Sequence, residues 1–136
     1  MFVKRLGVDD QWASCESRPE REPDLLCYHR VDGFVAWELV AVTDPRIAEL
    51  CSLGDRASRN ALWTTDPTEK IIRKKLGRKY NTTHPIELLV YSDGLLISTD
   101  DMIVPTIKML SKSIQSPFRK IWFMGEDIVE CVWSKE

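Results

Sequence analysis

Histidine is scarce in this chain, with only His29 and His84, and neither has a cysteine or acidic neighbour at catalytic or metal-binding spacing. That argues against a zinc centre and against a Ser-His-Asp hydrolase. The four cysteines, Cys15, Cys27, Cys51 and Cys131, stand far apart with no CxxC pair. Zinc ribbons and dithiol redox motifs are thereby disfavoured, and the expectation is of reduced, mostly buried thiols in a cytoplasmic protein. The six glycines form no phosphate-cradling loop, so no nucleotide cofactor is implied. No window approaches the roughly 18 apolar residues of a membrane span. Met1 to Arg5 run into Asp9-Asp10 without an apolar stretch, which predicts a protein that stays where it is made. There is no internal repeat and no low-complexity tract.

What is present is an ordinary globular composition: 136 residues, 43% hydrophobic and 29% charged. A single domain of that size removes roughly two thirds of its unfolded surface from water, enough for a core without staples. The net charge of −2 conceals an uneven distribution. Residues 1 to 66 carry 8 basic and 12 acidic side chains, residues 67 to 84 carry 6 and 1, and residues 85 to 136 carry 5 and 8. A short basic segment therefore interrupts an acidic protein, and such a stripe can neutralise several phosphates.

The reading along the chain is of one domain, with residues 1 to 22 a poorly structured or short helical segment and 23 to 136 an α/β core. A helical turn is expected around Asp9 to Cys15. Leu25 to Tyr28 reads as a strand, Asp32-Gly33 as a hairpin signal and Phe34 to Val42 as a central strand. Asp44-Pro45 starts a helix that stops near Gly54, and Ser52 to Thr65 reads as a loop containing Trp63. Asp66-Pro67 starts a basic helix to about Tyr80. Ile86 to Tyr91 is a buried strand closed by Ser92-Asp93-Gly94. A helix follows from Asp100, with Ile103, Ile107, Leu110 and Ile114 at helical spacing, and then two strands, Arg119 to Met124 and Ile128 to Trp133. The predicted order is β-β-α-α-β-α-β-β, a mixed central sheet flanked by helices.

Glu38 is the most informative position, a single carboxylate inside the apolar run Phe34 to Val42. Burying it ionised and alone costs several kcal/mol, so it needs a partner, a metal or a cleft. Alternation puts Phe34, Ala36, Glu38 and Val40 on one face. Two adjacent antiparallel strands can place Asp24 beside Glu38 on that face. Two neighbouring carboxylates suit a divalent cation such as Mg²⁺ or Mn²⁺. The alternative is a structural carboxylate paired with Arg30, Arg46 or Lys75.

Pro23-Asp24, thirteen intervening residues and then Glu38-Leu39-Val40 on a strand after a hairpin resembles the metal-binding motif of the PD-(D/E)xK nuclease superfamily, the restriction-endonuclease-like fold. The resemblance implies that Asp24 and Glu38 hold the metal, and that a lysine two residues after the glutamate positions and activates the attacking water. Val40 stands where that lysine belongs. Some members carry the lysine from a neighbouring helix, which directs attention to the basic helix. At about 100° per residue, with Ile71 at zero, Lys75 falls near 40° and Lys79 near 80°, inside the sector of Ile72 and Leu76 that should face the sheet. Lys75, with Lys79 second, is nominated as the replacement. Lys70, Arg73, Lys74 and Arg78 lie outside that sector and, with Lys79, are candidates for nucleic-acid contact. Glu16, Glu20 or Glu22 could supply the further acidic residue that family members carry upstream.

Three functions follow as expectations. The first is a divalent-metal-dependent nuclease using Asp24, Glu38 and Lys75. The second is an inactive module of the same fold that binds nucleic acid or a protein partner. The third is a protein-interacting regulator, as a homodimer or with a protein partner, using Trp12, Trp63 and the terminal hairpin.

Overall fold

The structure is a computed structural model that describes residue 2 and residues 9–42, 68–92, 100–126 and 128–135. Six strands form one sheet: β1 (Trp12–Ser17), β2 (Leu25–His29), β3 (Gly33–Val42), β4 (Ile86–Ser92), β5 (Phe118–Met124) and β6 (Val129–Ser134). Their spatial order is their chain order, β1-β2-β3-β4-β5-β6. Helix α1 (Thr68–Leu76) lies between β3 and β4 in sequence, and α2 (Asp100–Ser113) between β4 and β5. A short 3-10 turn, Asp9–Gln11, precedes β1. Among the described residues no helix is long and apolar enough to cross a membrane.

The strand directions follow from the connections. β1, β2 and β3 form an antiparallel meander, whereas β3, β4 and β5 run parallel, as strands joined through helices do. β6 returns antiparallel to β5. The β2–β3 turn closes at the pair His29–Gly33, where Gly33 takes φ of 82°, a conformation that favours glycine. The amides of Val31 and Asp32 donate to His29 Nδ1 at 3.3 and 3.0 Å, tightening that turn.

Both helices pack on one face of the sheet. Ile72 and Leu76 of α1 and Ile103, Ile107 and Leu110 of α2 are buried against Val40, Val42, Leu88, Val90, Phe118, Ile121 and Phe123. The opposite face gathers Cys27, Val35, Trp37 and Leu89, bordered by half-buried Phe2, Trp12 and Trp122. The mixed sheet with helical flanks matches the expected class, but the order of elements does not. Trp12 to Ser17, expected as a turn and irregular chain, is an edge strand, so the described order opens β-β-β. Edge position explains the discrepancy: Ala13 to Ser17 are all exposed, so the segment carries no buried alternation from which a strand is read. The expected helix from Asp44, the loop with Trp63 and the turn at Asp93-Gly94 lie outside the described residues.

β1 also corrects the reading of the cysteines. Cys15 and Cys27 are directly opposed on β1 and β2 and form a disulfide, with Cα atoms 4.0 Å apart. Twelve residues of sequence separation hid this, because pairing depended on a strand that composition did not reveal. Cys131, on β6, is a free thiol, as expected of the group, but exposed where the cysteines were expected to be mostly buried.

Candidate active site

The β2–β3 register pairs Leu25 with Trp37 and Leu26 with Ala36. Asp24 and Glu38 stand one step beyond the last paired rung, and their side chains finish the ladder. The Asp24 amide donates to Glu38 Oε1 at 3.2 Å, and the Leu39 amide donates to Asp24 Oδ2 at 2.8 Å. Glu38 is 2% exposed and faces the helices, with Ala36 and Val40 as its neighbours on that face. Asp24 is open to solvent.

The buried carboxylate is met from across the chain. Lys75 Nζ and the Tyr80 hydroxyl each donate to Glu38 Oε2 at 2.8 Å, and Arg78 Nη1 stands 3.9 Å from the same oxygen. Lys75 reaches it because it follows Ile72 on the core-facing side of α1 and precedes Leu76, both buried. Its own side chain is 19% exposed. The stem lies along apolar surface and the ammonium emerges at the carboxylate. Glu38 therefore has three donors within the molecule, which offsets the desolvation cost of burying its charge.

These contacts set the protonation of the group. Burial pushes the Glu38 carboxyl up, but hydrogen bonds from Lys75 and Tyr80 and the lysine charge outweigh burial and hold it below its ordinary value. Asp24 moves the other way: burial raises it, the Leu39 amide opposes the rise, and the neighbouring Glu38 charge adds to it. The Tyr80 hydroxyl, buried and beside that same negative charge, is raised strongly and remains a donor.

Lys79, the second lysine nominated for this role, is elsewhere. Gly77 ends α1, its amide returning to the Arg73 carbonyl at 3.1 Å. Residues 78–81 leave the helical course, so the angular position computed for Lys79 does not apply, and the side chain is exposed. The same departure brings Tyr80 back to Glu38, a contact that a continuous helix would not allow. Sequence reasoning missed Tyr80. The available signal was Gly77, a residue that commonly stops helices.

Lys70, Arg73 and Lys74 are exposed on α1, and Arg73 pairs with Glu69 at 2.9 Å. They do not converge on Glu38. Arg78 and Lys79 instead line a groove of about 600 Å³ with Glu20, Arg21, Tyr80 and Asn81. Of the upstream acids, Glu16 and Glu22 are bound to Arg18, and Glu20 borders the groove. Of the suggested structural partners, Lys75 is the one the structure pairs with Glu38. Arg30 donates to the Asp10 carbonyl, and Arg46 lies outside the described residues. Among the described residues, no group of three or more His, Cys, Asp and Glu could hold a metal.

A second buried carboxylate, Glu87, lies on the opposite face of β4 at 3% exposure. Arg119 donates to its Oε2 through two nitrogens and Trp122 Nε1 to its Oε1 at 2.8 Å. The signal that singled out Glu38, one acid in an apolar strand, applied equally to Ile86–Ser92. Glu87 is gripped by a guanidinium and an indole and borders a hollow of about 280 Å³ with His29 and Asp32. An apolar hollow of about 360 Å³ bordered by Trp12, Trp37, Leu39 and Leu89 lies on that same face.

No family model matches the chain, and neither a curated protein nor a solved structure matches it.

Proposed function

We propose that the chain is a divalent-metal-dependent hydrolase of nucleic-acid phosphodiesters, organised as the PD-(D/E)xK resemblance implies, with the motif lysine supplied by α1. The observation that carries this reading is the meeting of Asp24, Glu38 and the Lys75 ammonium on one face of the sheet. The antiparallel hairpin of β2 and β3 followed in sequence by α1 supports it, since strand-hairpin-strand-helix is the order the resemblance implies.

The donor set fits a hard cation. Mg²⁺ is characteristically held by one or two carboxylates and keeps several waters, so a two-carboxylate site is sufficient. Asp24 and Glu38 would hold it: among the described residues Glu38 Oε1 receives one hydrogen bond, of 3.2 Å, and the Asp24 side chain is exposed. When bound, Mg²⁺ or Mn²⁺ supplies a water of lowered pKa and neutralises charge on a phosphate oxygen. Lys75 would hold a phosphate oxygen or a water beside the carboxylate it contacts, the role vacated at position 40, where buried Val40 belongs to the core. Lys75 and, after it, Tyr80 hold the Glu38 carboxylate in its ionised form, and the tyrosine hydroxyl helps fix its rotamer.

A second reading rests on the same ion pair. Lys75 and Tyr80 satisfy Glu38 within the protein alone, as they would in a non-catalytic module that keeps the fold and binds nucleic acid or a partner. Calorimetric titration of Mn²⁺ into metal-stripped protein separates the two. The hydrolase reading expects one binding event in the wild type that disappears in Glu38→Gln. A wild type that binds no Mn²⁺ supports the module.

A further inference from the structure

The groove beside Tyr80 has a composition and position that the candidate catalytic residues do not account for. One wall is the turn after β1, shaped by the Glu22 amide donating to the Pro19 carbonyl and the Arg18 amide donating to the Asp24 carbonyl, both at 3.0 Å. The other is the segment that leaves α1. The walls are tied together where the Asn81 amide donates to the Arg21 carbonyl at 3.0 Å. That bond fixes the backbone under Arg21 while its side chain stays exposed.

Three cations, Arg21, Arg78 and Lys79, and one acid, Glu20, line the groove. Neither Arg21 nor Lys79 forms an ion pair among the described residues, whereas Arg18 is consumed by Glu16 and Glu22 and Arg73 by Glu69. Arg78 stacks over the Tyr80 ring, 5.6 Å from its centroid, with its guanidinium 3.9 Å from Glu38 Oε2. The groove therefore runs beside Tyr80 and Arg78, the two lining side chains that lie against the buried carboxylate. Lys70, Arg73 and Lys74 occupy the outer side of α1, opposite the buried Ile72 and Leu76, and face away from that carboxylate.

We propose that this groove is the backbone-phosphate track of the site, in which Arg21, Arg78 and Lys79 bind phosphates adjoining the one presented to Glu38, and that the outer face of α1 does not contact the nucleic acid. Arg21 is added to the binding residues, and Lys70, Arg73 and Lys74 are removed from them. The inference rests on the hydrolase reading for its choice of a phosphodiester chain as ligand. The contacts are to phosphates, so they position the strand without reading its sequence.

The test is fluorescence anisotropy with labelled mixed-sequence DNA and RNA oligonucleotides, single-stranded and duplex, in EDTA so that nothing is cut. Wild type is compared with Arg21→Ala/Lys79→Ala and with Lys70→Ala/Lys74→Ala over a range of salt. All four positions are exposed, so both double variants should fold, and their circular dichroism confirms it. Removing two phosphate contacts should weaken binding at least about tenfold and reduce the slope of log affinity against log salt by about two for duplex. The outer-face variant should stay within about twofold of wild type, because counterion release follows from contact and not from net charge alone. Unchanged binding by the groove variant, an equal loss in the outer-face variant, or no binding by wild type would each overturn the proposal. Groove-dependent binding by a wild type that takes up no Mn²⁺ would leave the track standing and remove the hydrolase. Metal-dependent cleavage with full binding by the groove variant would do the reverse.

Discussion

Lys75 Nζ lies 2.8 Å from Glu38 Oε2, joining residues 37 positions apart in the sequence and linking α1 to the middle of β3. Breaking a buried pair from one side costs more than deleting both partners, because the survivor is left charged and desolvated. Lys75→Met should therefore destabilise the fold by about 3 kcal/mol in urea denaturation, the low end of the range since the lysine is partly exposed. Lys75→Met/Glu38→Gln should recover most of that loss. Equal destabilisation by the single and double variants would mean that the pair is not coupled.

Tyr80→Phe removes one donor to the same oxygen and leaves the ring against Phe118, 5.8 Å between centroids. The expected cost is about 1.5 to 3 kcal/mol, as for a hydrogen bond to a charged group. The Glu38 carboxyl should rise at the same time, visible in a carbon-detected NMR titration. A stability loss with no movement of the Glu38 titration would place Tyr80 in packing alone.

The two carboxyls predict acid behaviours of opposite sign. Glu38 is held below its ordinary 4.5 in the fold, so its contribution is present above that pH and is lost as pH falls through the folded value. Asp24 is raised above its ordinary 3.8, so its contribution is present in acid and is lost as pH rises through the folded value. Between neutral pH and about pH 3, Glu38→Gln should flatten the fall in stability and Asp24→Asn should steepen it. Urea midpoints across that range check both signs.

The disulfide is open to direct assay. Peptide mapping after alkylation without reductant should recover Cys15 and Cys27 joined, and Cys131 labelled. Closing a loop this short constrains the unfolded chain, so Cys15→Ser/Cys27→Ser should cost about 2 to 4 kcal/mol. The missing constraint would fall on the turn that carries Arg21 and Asp24.

Legibility in the sequence tracked burial. Phe34 to Val42, Ile86 to Tyr91 and the Ile103-Ile107-Leu110 stripe were readable because apolar side chains at strand or helix spacing face a core. β1 was not, because its residues beyond Trp12 are exposed, and the disulfide was hidden with it. The angular position of Lys75 on α1 pointed to the sheet correctly, since Lys75 lies within the helix. The same arithmetic failed for Lys79 because the helix ends at Leu76. Tyr80 and the Arg21–Asn81 tie are products of that ending, and no periodicity encodes them. Glu87 shows the limit of reasoning from one buried acid: its pairing with Arg119 is a tertiary fact.

Cleavage of labelled nucleic acid by wild type and Glu38→Gln, each with Mg²⁺, Mn²⁺ or EDTA, tests the central claim most directly. The account predicts cutting by wild type with either metal, none in EDTA and a loss of at least about a hundredfold in Glu38→Gln, a fall expected when a metal ligand is removed. Cleavage that persists in EDTA, or that Glu38→Gln retains, would contradict it.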